Sequence, residues 1–241
     1  MKSIIGIVLF VFCAAAIACT LAEAQLAPKA PELKIDPNRT ALLILHMMNE
    51  QLKFKAGVST YGPEFAEENK KLKIIENTQK IIEASRAKNI PVIYVRMEYR
   101  PGYPEIPVQE DLPPGRTRMR LQGFYKQGSW NVQIVDELKP TEKDIVVVNH
   151  SASAFGHNEL DMILRSKNIR YLVLSGLSTK TIVTCTAVDA YVKGYYNYVV
   201  KDCCNSREEG EHEMYVKKVL PAYSVVIDSN QYVSALEKIK K

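Results

Sequence analysis

Residues 171–190 read Tyr-Leu-Val-Leu-Ser-Gly-Leu-Ser-Thr-Lys-Thr-Ile-Val-Thr-Cys-Thr-Ala-Val-Asp-Ala, and the pattern of this stretch changes halfway along it. Its first four residues form an apolar run of strand length, and Ser175-Gly176 predicts a tight turn after them. Ser178 and Thr179 are favourable helix N-caps, and the apolar residues that follow recur at helical spacing. The free amides of such a helix point above the carboxyl end of the strand, where they favour an anion or a developing oxyanion. The stretch therefore predicts a strand–helix unit of an α/β fold, with a functional site at that edge.

The rest of the chain repeats this alternation of strand-length apolar runs and helical segments. Alternation of this kind predicts an α/β fold with a three-layer, doubly wound, mostly parallel sheet. The irregular excursion between residues 98 and 136 is long enough to predict a lid or a pocket wall. The predicted strands cover 40–46, 91–97, 144–148, 171–175, 196–200 and 224–227, and the predicted helices cover 64–88, 160–167, 181–193, 211–220 and 230–241.

The opening stretch resembles the motif of the isochorismatase-like hydrolases, also called the cysteine hydrolase family. The positions in register with that motif are Gly176, Thr179, Val183, Thr186, Ala187, Asp189 and Ala190. The resemblance runs from about Thr40 to the C-terminus, and it implies a single domain of isochorismatase-like fold over residues 40–241.

The resemblance also implies where the catalytic groups of the family would stand. The family uses a nucleophilic cysteine, an aspartate that takes its proton and a lysine that stabilises charge. In this sequence the aspartate position holds His46, the lysine position holds Asn149 and the cysteine position holds Ile182. Thr179 falls in the region that would hold an oxyanion. The frame of the family motif is therefore present while all three catalytic positions are substituted.

These substitutions leave two main functional interpretations. In the first, His46 acts as a general base on water, while Asn149 and the backbone amides of Thr179–Ile182 hold an oxyanion. Such a protein would hydrolyse a small amide, ester or vinyl ether by a non-cysteine mechanism. In the second, the chain is a catalytically inactive pseudoenzyme that binds a small molecule in the former active site. A structural role in an oligomer is a third, weaker hypothesis. Cys185 is interpreted as a core residue rather than as a displaced nucleophile.

Six further residues are predicted to contact a substrate. The segment 95–105 resembles a stretch found in one branch of the family, and a guanidinium beside aromatic rings suits a carboxylate-bearing or aromatic small molecule. Structural salt bridges are the other interpretation of its arginines, and the single tryptophan either lines the cavity or braces an oligomer contact. The predicted substrate-binding residues are Asn49, Arg96, Tyr99, Arg100, Trp130 and Phe155.

No metal and no cofactor are predicted. Nicotinamidase-like relatives bind a metal through an Asp-x-His cluster after the second strand, but residues 97–132 contain no histidine. The formal charge of +5 comes from 32 basic and 27 acidic residues that are interspersed, which argues against a nucleic-acid surface. The expected partners are a small molecule and further copies of the chain.

The N-terminus has the pattern of a secretory signal peptide. A basic start is followed by an apolar run from Ile4 to Cys19 and by Ala22-Glu23-Ala24, which predicts cleavage after Ala24. The sequence therefore predicts a secreted or periplasmic protein, in which residues 25–39 form a linker. A lipoprotein anchored at Cys19 and an uncleaved membrane anchor remain alternatives. Cleavage would leave three cysteines, which are either small buried residues or partners in a disulfide.

Overall fold

Six strands form one parallel sheet in the computed structural model, which describes residues 33, 35–107 and 119–239. They are β1 Thr40–Leu45, β2 Val92–Met97, β3 Ile145–Asn149, β4 Tyr171–Leu177, β5 Tyr196–Asn205 and β6 Val225–Ile227. Their order in the sheet is β3-β2-β1-β4-β5-β6, and every neighbouring pair is parallel. The prediction of a parallel α/β sheet is confirmed. The predicted signal peptide lies outside the described residues, as do residues 108–118 of the irregular excursion.

Helices between the strands cover the sheet. They are α1 Asn49–Leu52, α2 Pro63–Lys71, α3 Ile74–Ala87, α4 Leu160–Ser166, α5 Thr184–Val192, α6 Glu211–Met214 and α7 Ser229–Glu237. Two π-helical segments, Thr179–Val183 and Tyr215–Val219, adjoin α5 and α6. Short 3-10 turns occupy Pro37–Arg39, Trp130–Val132, Asp136–Leu138 and Leu220–Ala222. Within the described ranges, no helix combines the length and the apolar character needed to cross a membrane.

The centre of the core is β1, which is buried along its whole length, as its continuous apolar sequence predicts. Leu43 and Leu45 belong to an apolar cluster that also holds residues of α4 and α5. On α3 and α7, the hydroxyls of Ser85 and Tyr232 lie 2.8 Å apart. The described residues from 35 to 239 belong to one compact unit.

The predicted turn at Ser175-Gly176 is wrong, because β4 continues through both residues to Leu177. Gly176 pairs with Leu45 of β1, and a Cβ atom at Gly176 would lie only 2.3 Å from the carbonyl oxygen of Leu45. The glycine therefore permits a close approach of two strands rather than a turn. The helical segment then begins directly after β4, at Thr179.

Two other boundaries differ from the prediction. The helix expected over residues 64–88 is two helices, α2 and α3, because the backbone of Lys73 takes a left-handed conformation with φ of 56°. Strand β5 runs five residues beyond its predicted end at Val200, and Cys204 and Asn205 pair with the end of β4. The carboxyl edge of the sheet is thus longer on the β4–β5 side than the apolar pattern indicates.

Candidate active site

His46 lies immediately after β1, at the carboxyl edge of the sheet. Its backbone amide donates to the carbonyl of Val95 at 2.8 Å, and its own carbonyl accepts from Met48 at 2.9 Å. The residue has a positive φ of 52° and its side chain is only 5% exposed. The chain therefore turns sharply at His46 and holds the imidazole in a fixed, nearly buried place.

Asn149 is the last residue of β3, and its side chain meets His46 although β2 lies between their strands. Asn149 Nδ2 lies 3.3 Å from His46 Nε2, and Asn149 is fully buried. The strand register brings this about, because Asn149 pairs with Met97 while Leu45 pairs with Val95. Two of the three predicted catalytic positions are thus in contact.

The orientation of the Asn149 amide is set by Ser151, a residue that the sequence reasoning did not single out. The amide of Ser151 donates to Asn149 Oδ1 at 3.2 Å, and Asn149 Nδ2 donates to the carbonyl of Ser151 at 2.7 Å. The first bond is an Asx turn, in which a side-chain oxygen accepts from the amide two residues on. An asparagine at a predicted strand end is a signal for such a turn.

The electrostatics of His46 follow from its burial. Burial lowers the pKa of His46 from its usual 6.5 to about 3. The imidazole is therefore neutral at physiological pH, and a base of such low pKa is a poor acceptor of a proton from water.

Ile182, at the predicted nucleophile position, belongs to the apolar core. The side chain is 1% exposed and packs in the cluster that contains Leu45 and Val147. Leu45 immediately precedes His46 in the sequence, and Val147 lies two positions before Asn149. A hydrocarbon side chain here offers no atom that can form a covalent intermediate.

The cysteines within the described residues have pKa values above their usual range. Burial, with the nearby Asp189 carboxylate, raises the pKa of the half-buried Cys185 above its usual value. Burial also raises the pKa of Cys203, and it raises the pKa of Cys204 to about 12. All three thiols are free and protonated at neutral pH, whereas the reactive form is the thiolate.

Thr179, in the predicted oxyanion region, opens the π-helical segment after β4 and is fully buried. Its hydroxyl lies 2.9 Å from His212 Nδ1, and its carbonyl accepts from the hydroxyl of Thr184 at 2.6 Å. The next amide, of Lys180, donates to the hydroxyl of Ser206 at 3.1 Å. His212 lies 33 residues further along the chain, and no local pattern in the sequence signals its contact with Thr179.

Both predicted arginines are in ion pairs. Arg96 Nη2 lies 3.0 Å from Glu98 Oε2, and Glu98 is buried. The exposed Arg100 places Nη1 3.0 Å from Glu105 Oε1. This arrangement matches the salt-bridge interpretation of these arginines, and their contact with a substrate stays a prediction.

Asn49 and Trp130 lie together near the start of α1. Asn49 Nδ2 donates to the carbonyl of Trp130 at 3.1 Å, and Lys55 Nζ lies 5.6 Å from the centre of the indole ring. The ammonium over the ring is a cation–π contact.

Tyr99 and Phe155 pack against other aromatic rings. The buried Tyr99 donates its hydroxyl to the carbonyl of His150 at 3.2 Å. The ring of Phe155 stacks on Tyr195, with 5.8 Å between centroids, beneath the ammonium of Lys193. Phe155 thus packs beside the C-terminal end of α5 and the start of β5.

A buried carboxylate on α1 supports the segment before α2. Glu50 accepts hydrogen bonds from the amide of Thr60 at 2.7 Å, from the hydroxyl of Thr60 and from the amide group of Asn131. No group of three or more His, Cys, Asp or Glu side chains in the described ranges is arranged to hold a metal ion.

Comparison with known proteins gives a consistent picture. The isochorismatase domain family matches residues 40–231. The chain is 33% identical to ureidoacrylate amidohydrolase RutB of Pseudomonas syringae pv. syringae over 199 residues, covering 76% of this chain and 77% of that protein. It is 26% identical to the protein of the same name from Acinetobacter baylyi, covering 85% and 86% of the two chains.

Solved structures share the fold. N-carbamoylsarcosine amidase from Thermoplasma acidophilum superposes with a TM-score of 0.63 at 28% identity, over 80% of this chain and 97% of that one. An isochorismatase family protein from Burkholderia thailandensis superposes with a TM-score of 0.67 at 23% identity, over 86% and 100% of the two chains, and this second likeness concerns the fold alone.

Proposed function

Because this chain belongs to the isochorismatase domain family, we propose that it is a member without cysteine chemistry that binds a small molecule at the carboxyl edge of its sheet. The observation that carries the proposal is the set of side chains at the three positions where the sequence predicts catalytic groups. Ile182 has no nucleophilic atom, and the neutral His46 is paired with the uncharged Asn149. Loss of the nucleophile alone removes orders of magnitude of rate from a covalent mechanism.

The ligand we propose is a small amide or ureido compound. Support comes from two similar proteins, whose names describe an amidohydrolase of ureidoacrylate and an amidase of N-carbamoylsarcosine. The ion pairs of Arg96 and Arg100 favour an uncharged ligand over a carboxylate, since both guanidinium groups already have anionic partners.

The names of these relatives also favour a second candidate function, hydrolysis of the same compounds by water activated at His46. This candidate requires the imidazole to accept a proton near neutral pH, and its low pKa makes that transfer unfavourable. We therefore rank binding without turnover first.

A combined binding and turnover assay tests the proposal. Purified protein is titrated calorimetrically with small amides, ureas and esters, and ammonia or acid release is followed in the same samples. We expect heat of binding from at least one amide or urea, no release above a blank, and loss of binding in His46→Ala. The Glu83→Ala variant, which changes an exposed residue of α3, should bind like the wild type.

Three outcomes separate the candidates. Turnover that His46→Ala abolishes, while the variant keeps its circular dichroism spectrum, would establish the second candidate and refute the first. Turnover that the substitution leaves unchanged would contradict any role of His46. Binding that the same substitution leaves unchanged would place the ligand elsewhere and refute the proposed site.

We also propose that the chain is exported, as its N-terminal sequence leads us to expect, and that it self-associates. Expression with the native N-terminus and intact-mass spectrometry of the exported protein should give the mass of a chain that begins at Gln25, as glutamine or as its cyclised pyroglutamate form. A retained Met1 would contradict cleavage. Light scattering of the purified protein should give a multiple of the monomer mass, and the monomer mass would contradict self-association.

A further inference from the structure

The tautomer of His46 can be read from the hydrogen bonds around it. Asn149 Oδ1 accepts from the Ser151 amide, and Nδ2 donates to the Ser151 carbonyl. Turning the amide over would place Oδ1 against that carbonyl and Nδ2 against the Ser151 N–H. The backbone of Ser151 therefore fixes which end of the Asn149 amide faces the imidazole.

The end that faces the imidazole is the donor. Asn149 Nδ2 carries two hydrogens, one of which goes to Ser151, and the other is directed to His46 Nε2 at 3.3 Å. An imidazole nitrogen that accepts a hydrogen bond carries no proton, and a neutral ring must then carry its proton on the other nitrogen. Burial keeps the ring neutral by lowering its pKa.

The proton on Nδ1 is available to a ligand. Within the part of the chain that the structure describes, no protein group is hydrogen-bonded to His46 Nδ1, and this atom is not among the fully buried polar atoms without a partner. The small exposed fraction of the residue therefore includes an N–H group that is free to donate.

We propose that Asn149 and the backbone of Ser151 hold His46 as a fixed Nδ1–H donor, so that the site selects a neutral carbonyl oxygen. This inference rests on the proposed function, because it names the ligand group that the same site would recognise. An ionised aspartate, as the family resemblance implies at this position, only accepts hydrogen bonds. The substitution of His46 thus reverses the hydrogen-bonding polarity of the position and excludes ligands that present only donors there.

Methylurea and the methylguanidinium ion are matched probes of this selectivity. They have nearly the same shape, but methylurea presents a carbonyl oxygen where methylguanidinium presents only N–H donors. A buried N–H group that faces another donor is left unpaired, and such mismatches discriminate strongly between similar ligands. We expect the first compound to perturb His46 and the second to leave it unchanged.

Nuclear magnetic resonance of ¹⁵N-histidine-labelled protein tests the tautomer without any ligand. The chain has four histidines, and the His46 signals are identified by their absence in His46→Gln. Protonated and unprotonated ring nitrogens have well-separated ¹⁵N shifts. We expect Nδ1 protonated and Nε2 unprotonated at both pH 7 and pH 5, and the opposite tautomer would overturn the inference whether or not a ligand binds.

Addition of the two probes then tests the ligand class separately. A shift of the His46 Nδ1 signal with methylurea and none with methylguanidinium supports the inference. An equal or larger shift with methylguanidinium overturns the ligand class while the tautomer stands. No shift with either compound refutes binding at this site, and it refutes the proposed function rather than the tautomer.

Asn149→Asp provides the matched variant, because it replaces the donor with an acceptor of nearly equal size. We expect the proton of His46 to move to Nε2 and the response to methylurea to fall at least tenfold. Asn168→Asp introduces the same charge on the exposed surface and should behave like the wild type. If the Asn149→Asp protein folds and His46 Nδ1 stays protonated, the proposed role of Asn149 is overturned. If that variant does not fold, the tautomer measured in the wild-type protein tests the inference.

Discussion

At the residue scale, the position predicted for the family's aspartate carries an ionisable side chain, His46, which burial keeps uncharged. In the described structure, the His46 ring is nearly buried, and its hydrogen-bond partner is the uncharged side-chain amide of Asn149. A buried neutral histidine weakens the fold in acid, because the unfolded chain binds a proton that the folded chain does not. The residue therefore links the chemistry of the site to the stability of the molecule.

The pH dependence of stability measures this effect. The pKa of His46 falls from 6.5 in the unfolded chain to about 3 in the folded one. As pH drops below 6.5, stability should decline by about 1.4 kcal/mol per pH unit from this residue, or about 2 kcal/mol between pH 7 and pH 5. Urea unfolding of the wild type and of His46→Gln at both pH values tests this. His212 also has a lowered pKa but is present in both proteins, so its effect cancels. Equal pH dependence in the two proteins would contradict a neutral buried His46.

The thiol of Cys185 gives a second prediction at this scale. Because burial and the Asp189 carboxylate raise its pKa, iodoacetamide at pH 7 should label Cys185 more slowly than it labels a free cysteine peptide. Cys185→Ala should leave ligand binding unchanged. Labelling faster than that of the peptide, or loss of binding in the variant, would show that Cys185 belongs to the site.

At the scale of elements, the junction of β1 and β4 depends on Gly176. A Cβ atom there would lie 2.3 Å from the Leu45 carbonyl oxygen, which belongs to the backbone of a fully buried strand and cannot move aside easily. Gly176→Ala should therefore lower the free energy of unfolding by about 1–3 kcal/mol or more, as overpacking does in other cores.

Gly62→Ala is the control for this prediction. The added Cβ atom at Gly62 would also meet an atom at 2.3 Å, but that atom is the carboxylate oxygen at the end of the Glu64 side chain, which can rotate away. Urea unfolding of both variants should show a loss of stability in Gly176→Ala alone. An equal change in the two would contradict the strand-contact explanation.

The sequence predicted the strands of this fold better than the connections between them. Each predicted strand is present in the structure. The signal is clearest for β1, because a strand that is buried along its whole length has a continuous apolar sequence. The break between α2 and α3 was not predictable, because the residue with a positive φ is Lys73 rather than a glycine, asparagine or proline, which would indicate a helix break. The role of Gly176 depends on the backbone of a strand more than 130 residues away in the chain and leaves no local pattern.

For the candidate site, register with the family motif singled out His46, Asn149 and Ile182, and the structure brings the first two into contact. Their catalytic role stays a prediction. The bonds that orient Asn149 come from the backbone of Ser151, and backbone groups carry no signal of residue type. The glutamate partners of Arg96 and Arg100 lie within five residues of them, so local charge spacing could have indicated these pairs.

At the scale of the whole molecule, strand order explains why residues far apart in sequence meet. β1 lies between β2 and β4, so the ends of the first, third and fourth strands in the chain converge on one edge. The positions predicted for the catalytic groups carry His46, Asn149 and Ile182 in this arrangement, and the fold depends on apolar strands rather than on those three side chains.

The limits of the folded domain yield a prediction at this scale. The described residues from 35 to 239 belong to one compact unit, and Asp36 accepts hydrogen bonds from Asn38 and Thr40 near its start. A chain beginning at Lys34 should therefore melt within about 2 °C of a chain beginning at Gln25, because the omitted residues 25–33 belong to the predicted linker. A markedly lower melting temperature for the shorter chain would show that residues 25–33 stabilise the domain.

The most direct test of the central claim is a search for a covalent intermediate. The wild-type protein is incubated with ureido and carbamoyl amides, quenched in acid and analysed by intact-protein mass spectrometry, and ammonia is measured in the same samples. With Ile182 at the predicted nucleophile position, we predict no mass added to the protein and no ammonia above a heat-inactivated sample. An acyl or carbamoyl adduct on any cysteine, accompanied by ammonia release, would contradict the account.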